Sequence, residues 1–112
     1  MADVHELASF SFRSGFDHDL QFRTMRDLEP LMLAQPGLRL REYFFSERDR
    51  SWVSHLVWAD EAAIDAAATR LEEDPTAMRL FERFDPDSMQ YARYRRVGRT
   101  AVGGADPRDT GT

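Results

Sequence analysis

The chain has 112 residues, a formal net charge of −5 and no cysteine, so it reads as one domain burying roughly 60–70% of its extended-chain surface, and disulfides, thiol nucleophiles and thiolate-bound metals are excluded. All fifteen basic residues are arginine, which removes lysine chemistry and means that any anionic ligand meets guanidinium donors. The acidic balance argues against nucleic acid as a partner, no apolar run approaches the ~20 residues of a membrane span, and without a signal-peptide pattern the expected location is cytoplasmic.

"VHELASFSFR", residues 4–13, alternates as a strand, with Val4, Glu6, Ala8, Phe10 and Phe12 on one face and His5, Leu7, Ser9 and Ser11 on the other. Gly15 marks a turn and Asp17 an N-cap. A helix follows through "HDLQFRTMRDLEPLMLAQ", its apolar stripe formed by Leu20, Leu28, Leu31 and Met32 with Met25 at the edge. Pro30 should interrupt it, since proline removes an internal hydrogen bond. "LRLREYFFSE", residues 38–47, is the second strand, and the polar "RDR" at 48–50 is a short hairpin turn. "SWVSHLVW", residues 51–58, is the third strand; its alternation sends Trp52, Ser54, Leu56 and Trp58 to one face and Val53, His55 and Val57 to the other.

Asp60 caps the next helix, with Glu61 in its first turn where the helix dipole favours acid. Asp74-Pro75 opens a shorter helix, and "SMQYARYRRV", residues 88–97, is the fourth strand. From Gly98 the chain carries four glycines and few apolar side chains, which reads as a tail, 98–112, following a domain at 1–97. Strand, helix, strand, strand, helix, strand is the βαββαβ order of a ferredoxin-like α+β fold, a four-stranded antiparallel sheet with helices on one face. The uncovered face still carries Phe, Leu and Val, so the expectation is a homodimer that pairs two sheets.

The functional candidates follow from the faces. Arg41 and Tyr43 share a face of the second strand, where they could hold a phenolate oxygen, although an ion pair across the sheet is the plainer reading. His55 is one of few groups able to take a proton near neutral pH, against a plainer role as an interface histidine. Trp52 and Trp58 read first as core, or as a cavity wall with an indole donor. No histidine or carboxylate cluster has metal-ligand spacing, so no metal is expected.

Three stretches, "FSFRSGFDHDL", "AQPGLRLREYFFSE" and "WVSHLVWADEAAIDAA", together resemble the antibiotic biosynthesis monooxygenase superfamily. The resemblance implies a dimeric α/β barrel with a cavity between sheet and helices, in a family whose members include oxygenases of phenols and quinols that use no cofactor. It also includes heme-degrading members, whose asparagine and helix histidine are missing here: the chain has no asparagine, and residues 61–73 hold no histidine. In the cofactor-free oxygenases an asparagine four residues before the strand tryptophan holds the substrate oxygen; that position is Ser54, and Trp58 is the tryptophan. The resulting expectation is a small-molecule-binding protein, a cofactor-independent monooxygenase of an aromatic phenolic or quinol metabolite. Its substrate-binding residues would be Ser54, Arg41, Tyr43 and Trp52. Its catalytic residues would be Trp58 and His55, the histidine only if its sheet face is the cavity face. The alternatives are a non-catalytic dimeric binding module and a polyketide cyclase or isomerase.

Overall fold

The computed structural model describes residues 2–103. Four strands, β1 (Val4–Phe10), β2 (Leu38–Ser46), β3 (Ser51–Trp58) and β4 (Gln90–Arg95), form one sheet in the order β2-β3-β1-β4, every neighbouring pair antiparallel. The helices are α1 (His18–Asp27), α2 (Glu29–Leu33), α3 (Glu61–Glu72) and α4 (Pro75–Phe81). This is the expected ferredoxin-like α+β order. Of the expected tail, residues 104–112 lie outside the described residues.

Local chemistry accounts for the boundaries. Asp17, Asp60 and Asp74 each accept a backbone N–H from the first turn of α1, α3 and α4, and Pro75 opens α4 where its missing N–H is harmless. The helix expected to run on from residue 18 divides at Leu28, with Pro30 in the first turn of α2. The first strand is shorter than its alternation suggested: it ends at Phe10, and Phe12 makes an isolated bridge to Phe84. The fourth begins later because Pro86–Ser88 form a 3₁₀ turn, capped by Asp85.

The apolar stripe of the first helical stretch also differs from expectation. Leu20 and Leu31 are only half-buried, while Gln21 and Thr24 join Met25, Leu28 and Met32 inside. The two polar residues are satisfied there. Gln21 accepts the Trp52 indole N–H at 3.0 Å and donates to the Phe16 carbonyl, and Thr24 donates to the Leu20 carbonyl and accepts from Arg83.

The helix-facing layer is filled unevenly. At one end Trp52 packs against Phe22, Phe45, Phe12 and Tyr43, with ring centroids 4.8 to 6.2 Å apart, and Phe84 closes on Phe10 and Phe12. Towards the middle of the sheet the facing side chains shrink: Ser54 pairs with Ala8, beneath Ala67 and Ala68 of α3. The turn at Gly37 brings the start of β2 against α3. With φ at +87° and its carbonyl accepting the Ala59 N–H, a Cβ there would stand 2.6 Å from the Ala63 Cβ.

Gly37→Ala should therefore combine backbone strain with a clash, at a cost of about 2–4 kcal/mol. Gly15→Ala shares the left-handed backbone (φ +96°) but meets open space, and should cost only about 1 kcal/mol. Urea unfolding of both variants measures the difference; equal losses would show that the approach to α3 is not what constrains residue 37.

Candidate functional site

The small residues at the sheet centre leave a cavity of about 610 Å³ between the sheet and the helices, within the range of small-molecule sites. Its floor comes from alternate residues of all four strands. One row across the sheet reads Arg41, Leu56, Glu6, Arg93 and the next reads Ser54, Ala8, Tyr91, with Tyr43 at its β2 end outside the cavity wall. Met25, Leu28, Met32, Ile64, Leu71, Phe81 and Phe84 give the remaining wall its apolar character.

The two ends of the cavity differ in solvent access. Near β2 it is closed by Met25, Leu28 and Met32, all buried. Near β4 it opens, since Ala68, Pro86, Met89 and Tyr91 line it and are exposed. The cavity is therefore more accessible at the β4 edge than at β2.

Arg41 lies at the closed end. Its side chain is only 5% exposed; Nη2 donates to the Met25 carbonyl at 2.8 Å and the guanidinium stacks on Tyr43 with 4.4 Å to the ring centroid. Nη1 is buried without a hydrogen-bond partner among the described residues, and the nearest carboxylate oxygen, on Glu29, stands off at 3.7 Å. Burial pushes the Arg41 pKa down, opposed by Tyr43 and Glu29. A buried cationic donor left unmatched in this way favours an incoming acceptor.

Among the described residues Glu6 is the one carboxylate on the cavity wall. It is 9% exposed and accepts the Trp58 indole N–H at 3.0 Å. Beside it at the mouth, Tyr91 has its pKa raised by burial and by Glu6. The Tyr91 hydroxyl accepts from Arg93 Nε at 2.9 Å, and the same guanidinium ties β4 to α3 through Asp65 at 2.9 Å and Glu61 at 3.8 Å.

The residues singled out in the sequence divide among three places. Arg41, Ser54 and Trp58 line the cavity together. Trp52 and Tyr43 lie on the same sheet face but in the aromatic cluster beside it, with Trp52 1% exposed and bonded to Gln21. His55 lies on the opposite, open face, so the condition on which it was to serve as the cavity's base is not met: strand alternation points Ser54 and Leu56 at the helices and His55 away from them. Nor does Arg41 pair across the sheet, since its ionic partner is Glu29 on α2. Glu6 was overlooked as a site residue. Its signal was a lone acid on an otherwise apolar strand face.

On the open face His5 Nδ1 and His55 Nε2 are 2.8 Å apart with their rings stacked, and His55 Nδ1 is 3.1 Å from Glu42. Leu7, Leu40, Phe44, Val53 and Tyr94 surround them, all exposed. Among the described residues no group of three or more His, Asp or Glu is placed to hold a metal, and no helix is long and apolar enough to cross a membrane.

No protein-family model matches the sequence, and no curated protein matches it. Solved structures do. A Bordetella bronchiseptica protein described as an antibiotic biosynthesis monooxygenase superposes with a TM-score of 0.70 at 15% identity, over 87% of this chain and 99% of that one. SnoaB, a cofactor-independent oxygenase from Streptomyces nogalater, gives 0.61 at 15% identity, over 92% and 99%. A NIPSNAP family protein of unknown function from Agrobacterium tumefaciens gives 0.65 at 14%, over 85% and 88%. The resemblance seen in the sequence motifs thus holds at the level of fold, and at these identities the likeness shows the fold alone.

On the open face, His5 makes stability depend on pH. Burial, then His55 and Arg96, hold the His5 pKa below its ordinary 6.5, with Asp3 opposing. The folded state therefore favours neutral His5: its contribution is complete above the ordinary value and lost as pH falls through 6.5 towards the folded value. Denaturant unfolding at pH 7.5 and pH 5.5 should show that His5→Gln loses less stability on acidification than the parent chain. Equal losses would remove His5 as the responsible group.

Proposed function

We propose that the chain binds a flat phenolic or quinol metabolite in the helix-side cavity and oxidises it with molecular oxygen, without a cofactor. The observation that carries this reading is the unmatched Arg41 Nη1 at the closed end of an apolar cavity. A phenol entering past β4 would bind as its anion, releasing the proton to solvent; the buried guanidinium favours the charged form. Ser54 stands one row away on the same sheet face and can donate to the same oxygen. Trp58 closes the wall beside Leu56 and Glu6.

The chemistry this arrangement supports begins with one electron passing from the bound anion to dioxygen. The substrate radical and superoxide then combine into a carbon–oxygen bond, the peroxide anion takes a proton from solvent, and loss of water from the hydroperoxide, with the hydrogen carried by the same carbon, leaves a carbonyl. The protein's part is to stabilise the anion and exclude water. The oxygenase activity of SnoaB, on the same fold, supports this reading.

The working unit is proposed to be a homodimer joined through the open sheet faces. Phe44 is 56% exposed there, among Leu7, Leu40, Val53 and Tyr94, an apolar patch that a monomer would leave in water.

Dissolved-oxygen consumption with anthrones, naphthohydroquinones and catechols tests the activity. Uptake above the uncatalysed rate should fall about a hundredfold in Arg41→Met, while His55→Ala, altered on the other face, should retain it in the dimer. An absence of uptake across the panel from folded protein would replace oxygenation with binding or proton transfer. Light scattering tests the dimer: the parent chain should show twice the monomer mass and Phe44→Glu the monomer mass. A monomeric parent chain at micromolar concentration would remove sheet pairing from the reading.

A further inference from the structure

We propose that the ligand of this cavity is oxygenated at both ends: an acidic oxygen leads to Arg41, and a hydroxyl one ring system behind it donates a hydrogen bond to Glu6. This deepens the reading of the cavity as a ligand site and does not depend on reaction with oxygen. Three observations combine. Arg41 and Glu6 lie in the same cross-sheet row, one on each side of Leu56, which sets their Cα atoms roughly 10 Å apart at ~4.8 Å per strand. Both are buried, and each has unused capacity of opposite sense. Arg41 Nη1 is a donor without an acceptor among the described residues, whereas the Glu6 carboxylate accepts from Trp58 and meets the Tyr91 hydroxyl, two donors for a group with about four lone-pair sites, and lines the cavity.

The surface between them is apolar. Leu56 lies under the path and Ile64, Ala67 and Leu71 lie over it, which suits the faces of a flat ring system, with the Ser54 hydroxyl of the next row beside the path. The order of entry follows from access. The mouth is at β4, so the acidic end passes Glu6 before reaching Arg41, and a carboxylate or phenolate resting at Glu6 would be repelled by it. A hydroxyl there is attracted. The arrangement thus selects both the substituents and the direction in which the molecule lies.

Four probes dissect this by titration calorimetry: a hydroxynaphthoate with its two groups on opposite rings, the matching methoxynaphthoate, naphthoate and naphthol. The parent chain should bind the hydroxynaphthoate about tenfold tighter than each of the others, because methoxy oxygen accepts but cannot donate. In Glu6→Gln the amide oxygen still accepts the Trp58 N–H, so the fold should stand, checked by its thermal unfolding. The preference for hydroxy over methoxy should fall to within about twofold there, with naphthoate affinity unchanged. Arg41→Met should weaken all three carboxylates about tenfold and leave naphthol alone. The proposal is overturned if the parent chain fails to prefer hydroxy over methoxy, if naphthol equals the hydroxynaphthoate, if Glu6→Gln weakens every probe alike, or if no probe binds. Oxygen uptake without this discrimination would sink the inference and leave the oxygenase reading in place; discrimination without uptake would do the reverse.

Discussion

The indole N–H of Trp58 and the carboxylate of Glu6 meet at 3.0 Å inside an apolar layer, diagonally across two neighbouring strands. A carboxylate taken from water without a partner is costly by several kcal/mol, so the position of Glu6 rests on that donor and on the Tyr91 hydroxyl beside it. Trp58, the other partner, lines one wall of the cavity. The polar groups of the cavity mouth are arranged around this pair: Tyr91 beside Glu6, Arg93 on Tyr91, and Asp65 and Glu61 of α3 on Arg93. The mouth of the cavity and its interior are thus one network.

The division of labour within the helix-facing layer is also a matter of volume. Aromatic rings at the Trp52 end fill their space and carry the packing energy. The Ser54–Ala8 pair below the alanines of α3 leaves space unfilled, giving up contacts that a solid core would have made. Interiors are normally close-packed, and a void bordered by a guanidinium with one nitrogen, Arg41 Nη1, left without a hydrogen bond among the described residues departs from that rule in a way that a bound ligand would correct.

Much of this was legible in the residues. Period-two alternation set Ser54 and Trp58 against His55 within β3 and grouped Arg41 with Tyr43 within β2, without saying which faces meet the helices, and the aspartate caps located three helix starts, since each rule is local. The cavity was not legible, because it is a property of which small side chains oppose one another. Ala8, Ser54, Ala67 and Ala68 come from distant parts of the chain and look ordinary in each. Gln21 and Thr24 misled for a related reason: their burial is made acceptable by Trp52 and Arg83, partners 31 and 59 residues away. Glu6 stood in plain view in an apolar strand face, and its meaning came only with the tryptophan at the far end of β3.

The two tryptophans also have opposite optical surroundings. Trp52 is enclosed by aromatic rings and bonded to an amide, beside the cavity but not part of its wall. Trp58 faces the void with its ring nitrogen on a charged oxygen. Indole emission responds to nearby charge and polarity, so occupancy of the void would alter one emitter and spare the other. The molecule carries a sensor and an internal reference, and neither requires a label.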